Sequence, residues 1–363
     1  MCKISILSKM LAGLALLVGI TACERDDAEP ELETRKFSRL YVSFEENETS
    51  SGASAVNVRI VFPADSSVFE YGVNHVSEAK GGGVMYFNPY LKRLFQASAN
   101  LNGVNDTVIR SMEVGTTGLL QNNGRLPNRI FSYVKGLAYQ RASNVLFAVN
   151  VDGTSNSRIY VVDRPTRSAY VRPLKKYIVD SSRPFWGAAY ENNRLFSSIQ
   201  GTDGGIAVFS NVVTTQVNAT DSTANMSYQT LTIDGSSNLR GLSYDTLKNV
   251  LAVTDYSGSG EAMAGRILIF EKFSDLIGTG NHTITPTRII QGLATGLKQP
   301  MDVAIDTRET GVYMYVADRG AKKVFRFKYT DDGNVEPDME LQEAGATPVA
   351  LALDTRDDST LGQ

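Results

Sequence analysis

An all-β chain wound as a six-bladed β-propeller is the fold this sequence predicts, on three observations. A four-residue anchor recurs along the chain. Within each period the apolar residues fall in short runs bounded by turn formers. Finally, each end of the chain holds an incomplete unit that the other end completes.

The anchor reads Gly-Val-Met-Tyr at Gly83 to Tyr86, Gly-Leu-Ala-Tyr at Gly136 to Tyr139, Gly-Ala-Ala-Tyr at Gly187 to Tyr190 and Gly-Leu-Ser-Tyr at Gly241 to Tyr244. Looser copies run from Asp302 to Ile305 and from Ala350 to Leu353, each two residues after a proline and each followed by Asp-Thr-Arg. Successive anchors start 48 to 61 residues apart, and such a period belongs to stacked or radial repeats.

After each anchor and a polar turn comes a second apolar run, as at Val145 to Val149, Val250 to Val253 and Tyr313 to Val316. A third follows, as at Arg158 to Val162, Ile206 to Phe209, Arg266 to Phe270 and Val324 to Phe327. Runs of β-branched and aromatic residues bounded by Gly, Asn, Asp and Ser are strand and turn chemistry. The best helical candidate is only Glu271 to Ile277. Three strands and a variable fourth make one blade, and blades around an axis make a propeller.

The ends set the count at six. Leu40 to Ser43 and Val56 to Phe62 read as a second and a third strand without a first, whereas Val349 to Leu353 reads as a first strand with nothing after it. Joining them adds one blade to the five that begin near residues 83, 136, 187, 241 and 302, and it leaves no bare inner edge.

Residues 1–22 read as a signal peptide, with Lys3 and Lys9 ahead of an uncharged run of 14 residues from Met10 to Cys23. A membrane span needs roughly 17 to 25. Ile20-Thr21-Ala22-Cys23 resembles the lipobox of bacterial lipoproteins, and the resemblance implies cleavage before Cys23, acylation of that cysteine and attachment to a membrane. Cys2 leaves with the peptide, so the remaining chain has no thiol for a disulfide or a nucleophile. Residues 23–36 form an acidic tether, rich in Glu and Asp between Glu24 and Glu33, and 37–363 form the propeller. The acidic stretch is similar to export signals of surface lipoproteins in some Gram-negative bacteria, which implies an outer-membrane lipoprotein on the periplasmic or cell-surface side. Loss of Lys3 and Lys9 takes the formal charge from −3 to −5, which argues against a nucleic-acid partner.

Gln299-Pro-Met-Asp-Val-Ala-Ile-Asp, with Val312 to Gly320 and Lys323 to Phe327, resembles an NHL-type repeat. Arg158-Ile-Tyr-Val-Val-Asp163 is similar to the YVTN type. Both resemblances imply the fold and leave the chemistry open. The six-bladed lactonases resembling gluconolactonase imply a divalent ion held by a Glu, an Asn and an Asp at strand starts and loops. Here the strand-start positions read Lys80, Lys135, Trp186, Arg240, Met301 and Pro348.

No G-x-S-x-G, P-loop or H-E-x-x-H occurs, and two histidines, His75 and His282, cannot make a multi-histidine metal site. No catalytic residue, metal or cofactor is assigned. Propeller topology gathers the residues before each first strand and after each second strand at one end of the channel. That set comprises Lys135, Asn150, Asp152, Trp186, Asp203, Arg240, Asp255, Asp318 and Arg319. A polar mouth of mixed charge with one indole suits a glycan or peptide, so the expected function is a lipid-anchored module binding a glycan or an envelope protein. A lactonase-like, metal-dependent hydrolase is the alternative. Asp106-Thr107-Val108, Asp221-Ser222-Thr223, Asp245-Thr246-Leu247 and Asp358-Ser359-Thr360 also resemble the O-glycosylation acceptors of certain Gram-negative envelope proteins.

Overall fold

A computed structural model describes residues 38–46, 55–101, 103–151, 157–179 and 182–356. Cys23, the tether and Asp152 lie outside them. The chain forms six small sheets arranged as a propeller. Blade 1 comprises strands Met85–Asn88, Arg93–Gln96, Val108–Val114 and Leu120–Pro127; blade 2, Val134–Gln140, Val145–Val151, Ser157–Asp163 and Lys175–Val179. Blade 3 holds Phe185–Glu191, Arg194–Ile199, Gly205–Ser210 and Gln229–Thr232; blade 4, Leu242–Asp245, Val250–Ser257, Ala264–Glu271 and Arg288–Gln291. Blade 5 holds Pro300–Ile305, Tyr313–Asp318, Lys323–Lys328 and Met339–Gln342. Blade 6 takes Pro348–Asp354 from the C-terminal end as its innermost strand, followed by Arg39–Phe44, Val58–Val61 and Tyr71–His75. The helical candidate at Glu271 to Ile277 is a single turn, Phe273–Leu276.

The core is six apolar slabs, one between each pair of successive blades. Both faces of a blade are therefore covered, which explains why Val145 to Val149 is an unbroken apolar run rather than an alternating one. Leu146 and Ala148 pack toward blade 1, and Val145, Phe147 and Val149 toward blade 3. In blade 4, Leu251 and Val253 face blade 3, while Val250 and Ala252 face blade 5.

The anchor glycines stand where neighbouring inner strands nearly touch. A Cβ on Gly136 would lie 2.3 Å from the carbonyl oxygen of Gly187 in the next blade. Gly187 itself sits at φ +61°, which glycine adopts without strain. The anchor tyrosines fasten the hairpins: Tyr139 Oη donates to Asn144 Oδ1 and Tyr244 Oη to Asn249 Oδ1, both at 3.0 Å, with each asparagine at a positive φ inside the turn.

Outside the ring, the connection between the third and fourth strands of one blade lies along the outer edge of the blade before it. Thr223–Met226 pairs in parallel with Lys175–Val179, and His282–Thr283 with Leu231 and Thr232. Ala169 and Val171 donate to the carbonyls of Arg125 and Pro127, and Gly333 bridges Ile290. Such cover removes exposed strand edges. Side chains join the two junctions that flank blade 6: Arg326 of blade 5 donates to the carbonyls of Ala64 and Ser66. On the other side, Asn122 of blade 1 bonds His75 and the carbonyl of Val76.

Candidate functional site

A cavity of about 1040 Å³ lies along the axis, lined by the innermost strands of all six blades. At the end where first strands begin, register irregularities shape the wall. Val134 pairs with Asn150 and Gly136 with Val149, so Lys135 is the extra residue of a bulge; Met301 has the same place in blade 5. A bulge re-aims a side chain that would otherwise enter a slab. Blade 3 is irregular between Trp186 and Ala189. Both Ser197 and Ser198 place their hydroxyls on the Trp186 carbonyl, at 3.0 and 2.6 Å, and Ser198 also reaches the Arg240 carbonyl of blade 4.

These features bring Lys135, Trp186 and Arg240 together. Lys135 Nζ lies 4.5 Å from the indole centroid and Arg240 Cζ 4.7 Å from it, both within cation–π range. Arg240 also packs 5.1 Å from the Tyr256 ring, donates to Tyr256 Oη at 2.9 Å and to the Leu239 carbonyl at 3.1 Å, and leaves a buried Nε without a partner. Neither cation has a carboxylate within salt-bridge distance among the described residues. Burial pushes the Lys135 ammonium down to about 8, helped by the charge of Arg240, and burial also lowers Arg240 from its ordinary value.

The other candidate residues are placed differently. Arg319 reaches the mouth, but its guanidinium is paired with Glu45 at 2.7 and 3.1 Å. Asn150, Asp255 and Asp318 occupy one equivalent position at the end of the second strand in blades 2, 4 and 5, where their oxygens hold backbone amides of the segment leading into the first strand. Asn150 accepts from Tyr133 N at 2.9 Å. Asp255 accepts from Asn238 N at 2.6 Å and from Arg266 at 2.8 and 3.0 Å. Asp318 accepts from the amides of Lys298, Gln299 and Ala321 at 2.8 to 2.9 Å, with burial raising its pKa. These groups set the entrance of the first strands instead of facing the channel. Asp203 sits on an exposed turn at φ 50°, accepts from Gly235 N and does not line the cavity.

In the sequence Asp302 reads only as the start of a loose copy of the anchor. It stands where blades 1 to 4 have glycine and lines the channel, and its carboxylate accepts the Leu351 amide of blade 6 at 2.9 Å and the Val303 amide at 3.0 Å. Burial raises its pKa from 3.8 to about 7, against the lowering effect of those two amides. A folded-state value above the unfolded one means that the folded chain binds more protons between about pH 4 and 7, so this group's contribution to stability declines as pH rises through that window. Asp302→Asn removes the titration. The melting temperature of the variant minus that of the wild type should increase by several degrees between about pH 5 and pH 8; a difference that stays constant would show that Asp302 does not titrate there.

No three of His, Cys, Asp and Glu cluster as a metal site among the described residues. No protein-family model matches the sequence, and no curated protein matches it. Among solved structures, the periplasmic gluconolactonase of Pseudomonas aeruginosa is similar at 12% identity and a TM-score of 0.56, over 88% of this chain and 100% of that one. A candidate 6-phosphogluconolactonase from Bacteroides uniformis matches over the same shares at 9% identity and a TM-score of 0.51. A Lactobacillus plantarum protein matches over those shares at 11% and 0.51. At such identities the likeness is one of fold.

Proposed function

We propose that the chain is a binding module of the cell envelope that holds a carboxylate-bearing ligand, a sugar acid or acidic glycan, at the channel mouth. The observation that carries this reading is the indole flanked by two cations that have no carboxylate within salt-bridge distance among the described residues. An apolar ring face stacks on a sugar while the cations take its acid group through charge-assisted hydrogen bonds.

Trp186 is the only tryptophan in the chain, so its fluorescence reports this one place. Titration with D-glucuronate should quench it and titration with D-glucose should not. By calorimetry, Trp186→Ala should weaken glucuronate binding by about 30-fold, the effect of losing a hot spot worth about 2 kcal/mol. Its melting temperature should change little, because the indole is only half-buried. Equal quenching by both sugars, or unchanged binding by the variant, would overturn the reading.

Lactone hydrolysis is the second reading, favoured by the likeness to a gluconolactonase. Ring opening of a sugar lactone yields a hydroxy acid, the kind of anion this mouth suits. Turnover of gluconolactone that Trp186→Ala or Arg240→Met abolishes would select this reading over simple binding.

The NHL-type repeat, the lipid anchor and the outer-membrane address belong to the same proposal and rest on sequence resemblance. For the anchor, a clickable fatty-acid analogue should label the wild type, and Cys23→Ser should lose both label and membrane fractionation. A variant that still labels would remove the anchor from the proposal.

A further inference from the structure

Resting on the anion site just proposed, we infer that the mouth takes 2-oxo acids in particular and holds them covalently, as an imine on Lys135. Four features of the site point to this chemistry. Lys135 is placed in the cavity by a bulge, and no hydrogen-bond acceptor or carboxylate engages its amine among the described residues. What surrounds it is aromatic or cationic: the Trp186 ring, the Tyr133 ring at 5.7 Å and Arg240. Arg240 lines the same cavity and is held in place there by its hydrogen bonds to Tyr256 and the Leu239 carbonyl. Finally, both cations face one ring, Lys135 Nζ at 4.5 Å and Arg240 Cζ at 4.7 Å from the indole centroid.

In a 2-oxo acid the carbonyl carbon is bonded directly to the carboxylate. A carboxylate on the guanidinium puts the adjoining carbonyl carbon in the cavity that the lysine amine also lines, where the flexible four-carbon stem of Lys135 can bring the nitrogen to it. The lysine nitrogen adds its lone pair to the carbonyl carbon. One proton passes from that nitrogen to the carbonyl oxygen to give a carbinolamine, and the hydroxyl leaves as water with the second nitrogen proton as the C=N bond forms, with no oxidant or reductant involved. Attack needs the neutral amine, and a desolvated lysine beside another cation supplies more of it than an exposed one. The lowered pKa of Lys135 runs in that direction. Positive charge is kept in the protonated imine, so the nitrogen stays a partner for the indole.

The test treats the full chain with pyruvate and sodium cyanoborohydride, then maps adducts by peptide mass spectrometry. The expected result is one reduced adduct on Lys135, at least tenfold above any other lysine. It should be absent in Lys135→Arg and at least tenfold weaker in Arg240→Met. Adducts spread evenly over surface lysines would overturn the inference. L-lactate, which keeps the carboxylate and lacks the carbonyl, separates the two proposals. If lactate quenches Trp186 and pyruvate gives no adduct on Lys135, the imine is wrong and the anion site stands. If neither ligand quenches and no adduct forms, both fall.

Discussion

Ending the chain after Thr347 should abolish cooperative thermal unfolding. The lost strand, Pro348–Asp354, is the innermost of blade 6 and pairs along its length with Arg39–Phe44. Leu351 would leave the slab between blades 5 and 6, and Ala352 the slab between blades 6 and 1. Arg39 would lose Asp354, a buried carboxylate 3.6 Å away, and Asp302 would lose the Leu351 amide. One buried leucine cut to alanine costs about 2 to 5 kcal/mol, and a whole domain is stable by only about 5 to 15 kcal/mol. Losing a strand between two slabs exceeds that margin. A chain ending at Arg356 keeps the strand and the Arg356–Asp354 pair at 2.8 Å, and should melt like the wild type. Circular dichroism on both decides it: a cooperative transition at the wild-type temperature in the shorter chain would refute closure by this strand.

Arg326→Ala should lower stability by about 3 to 5 kcal/mol, because it removes several hydrogen bonds of a charged group, worth about 1.5 to 3 kcal/mol each, together with the packing of a buried side chain. Its side chain is almost fully buried, at 1% exposure. Nε donates to Asp338 at 2.7 Å, and Nη1 donates to the carbonyls of Ala64 and Ser66 at 2.8 and 2.7 Å. The guanidinium packs on the rings of Phe69 and Tyr313, 5.0 and 4.4 Å from their centroids. Truncation takes the donor from all three acceptors, the Ala64 carbonyl being buried, at a junction where no backbone clasp substitutes among the described residues. Arg326→Lys restores charge without the planar fork, so its melting temperature should fall between wild type and alanine. A lysine variant as stable as wild type would mean that only the charge matters.

The propeller was legible because each of its rules leaves a mark on the chain. Glycine recurs where inner strands approach within contact distance, apolar runs lose their alternation where both faces are buried, and the unpaired N-terminal strands imply a C-terminal partner. Lys135, Trp186 and Arg240 were legible for the same reason, since the start of a first strand has a fixed place at the mouth. Distinguishing a carboxylate that faces the channel from one that holds a backbone amide is a different matter. Asp255 and Asp318 immediately precede Tyr256 and Arg319, which line the cavity, and only the position of the amides they bind tells which way they serve. The parallel clasps left no periodic mark at all, being as short as His282–Thr283. Asp302 reads as an imperfect glycine, although its carboxylate ties blade 5 to the closing strand.

The pairing of Arg39 with Asp354 joins residues 315 positions apart in the chain. A ribosome that adds about 5 to 20 residues per second takes roughly 15 to 60 seconds to supply the second after the first. During that interval the apolar N-terminal strands have no inner neighbour, and each outer edge waits for the blade behind it. Synthesis therefore leaves a sticky early product, and a late, long-range pairing of this kind is slow to form. Leu40, Val42 and Phe44 therefore stay without an inner neighbour until the last strand is in place, and the blade begun first is the one finished last.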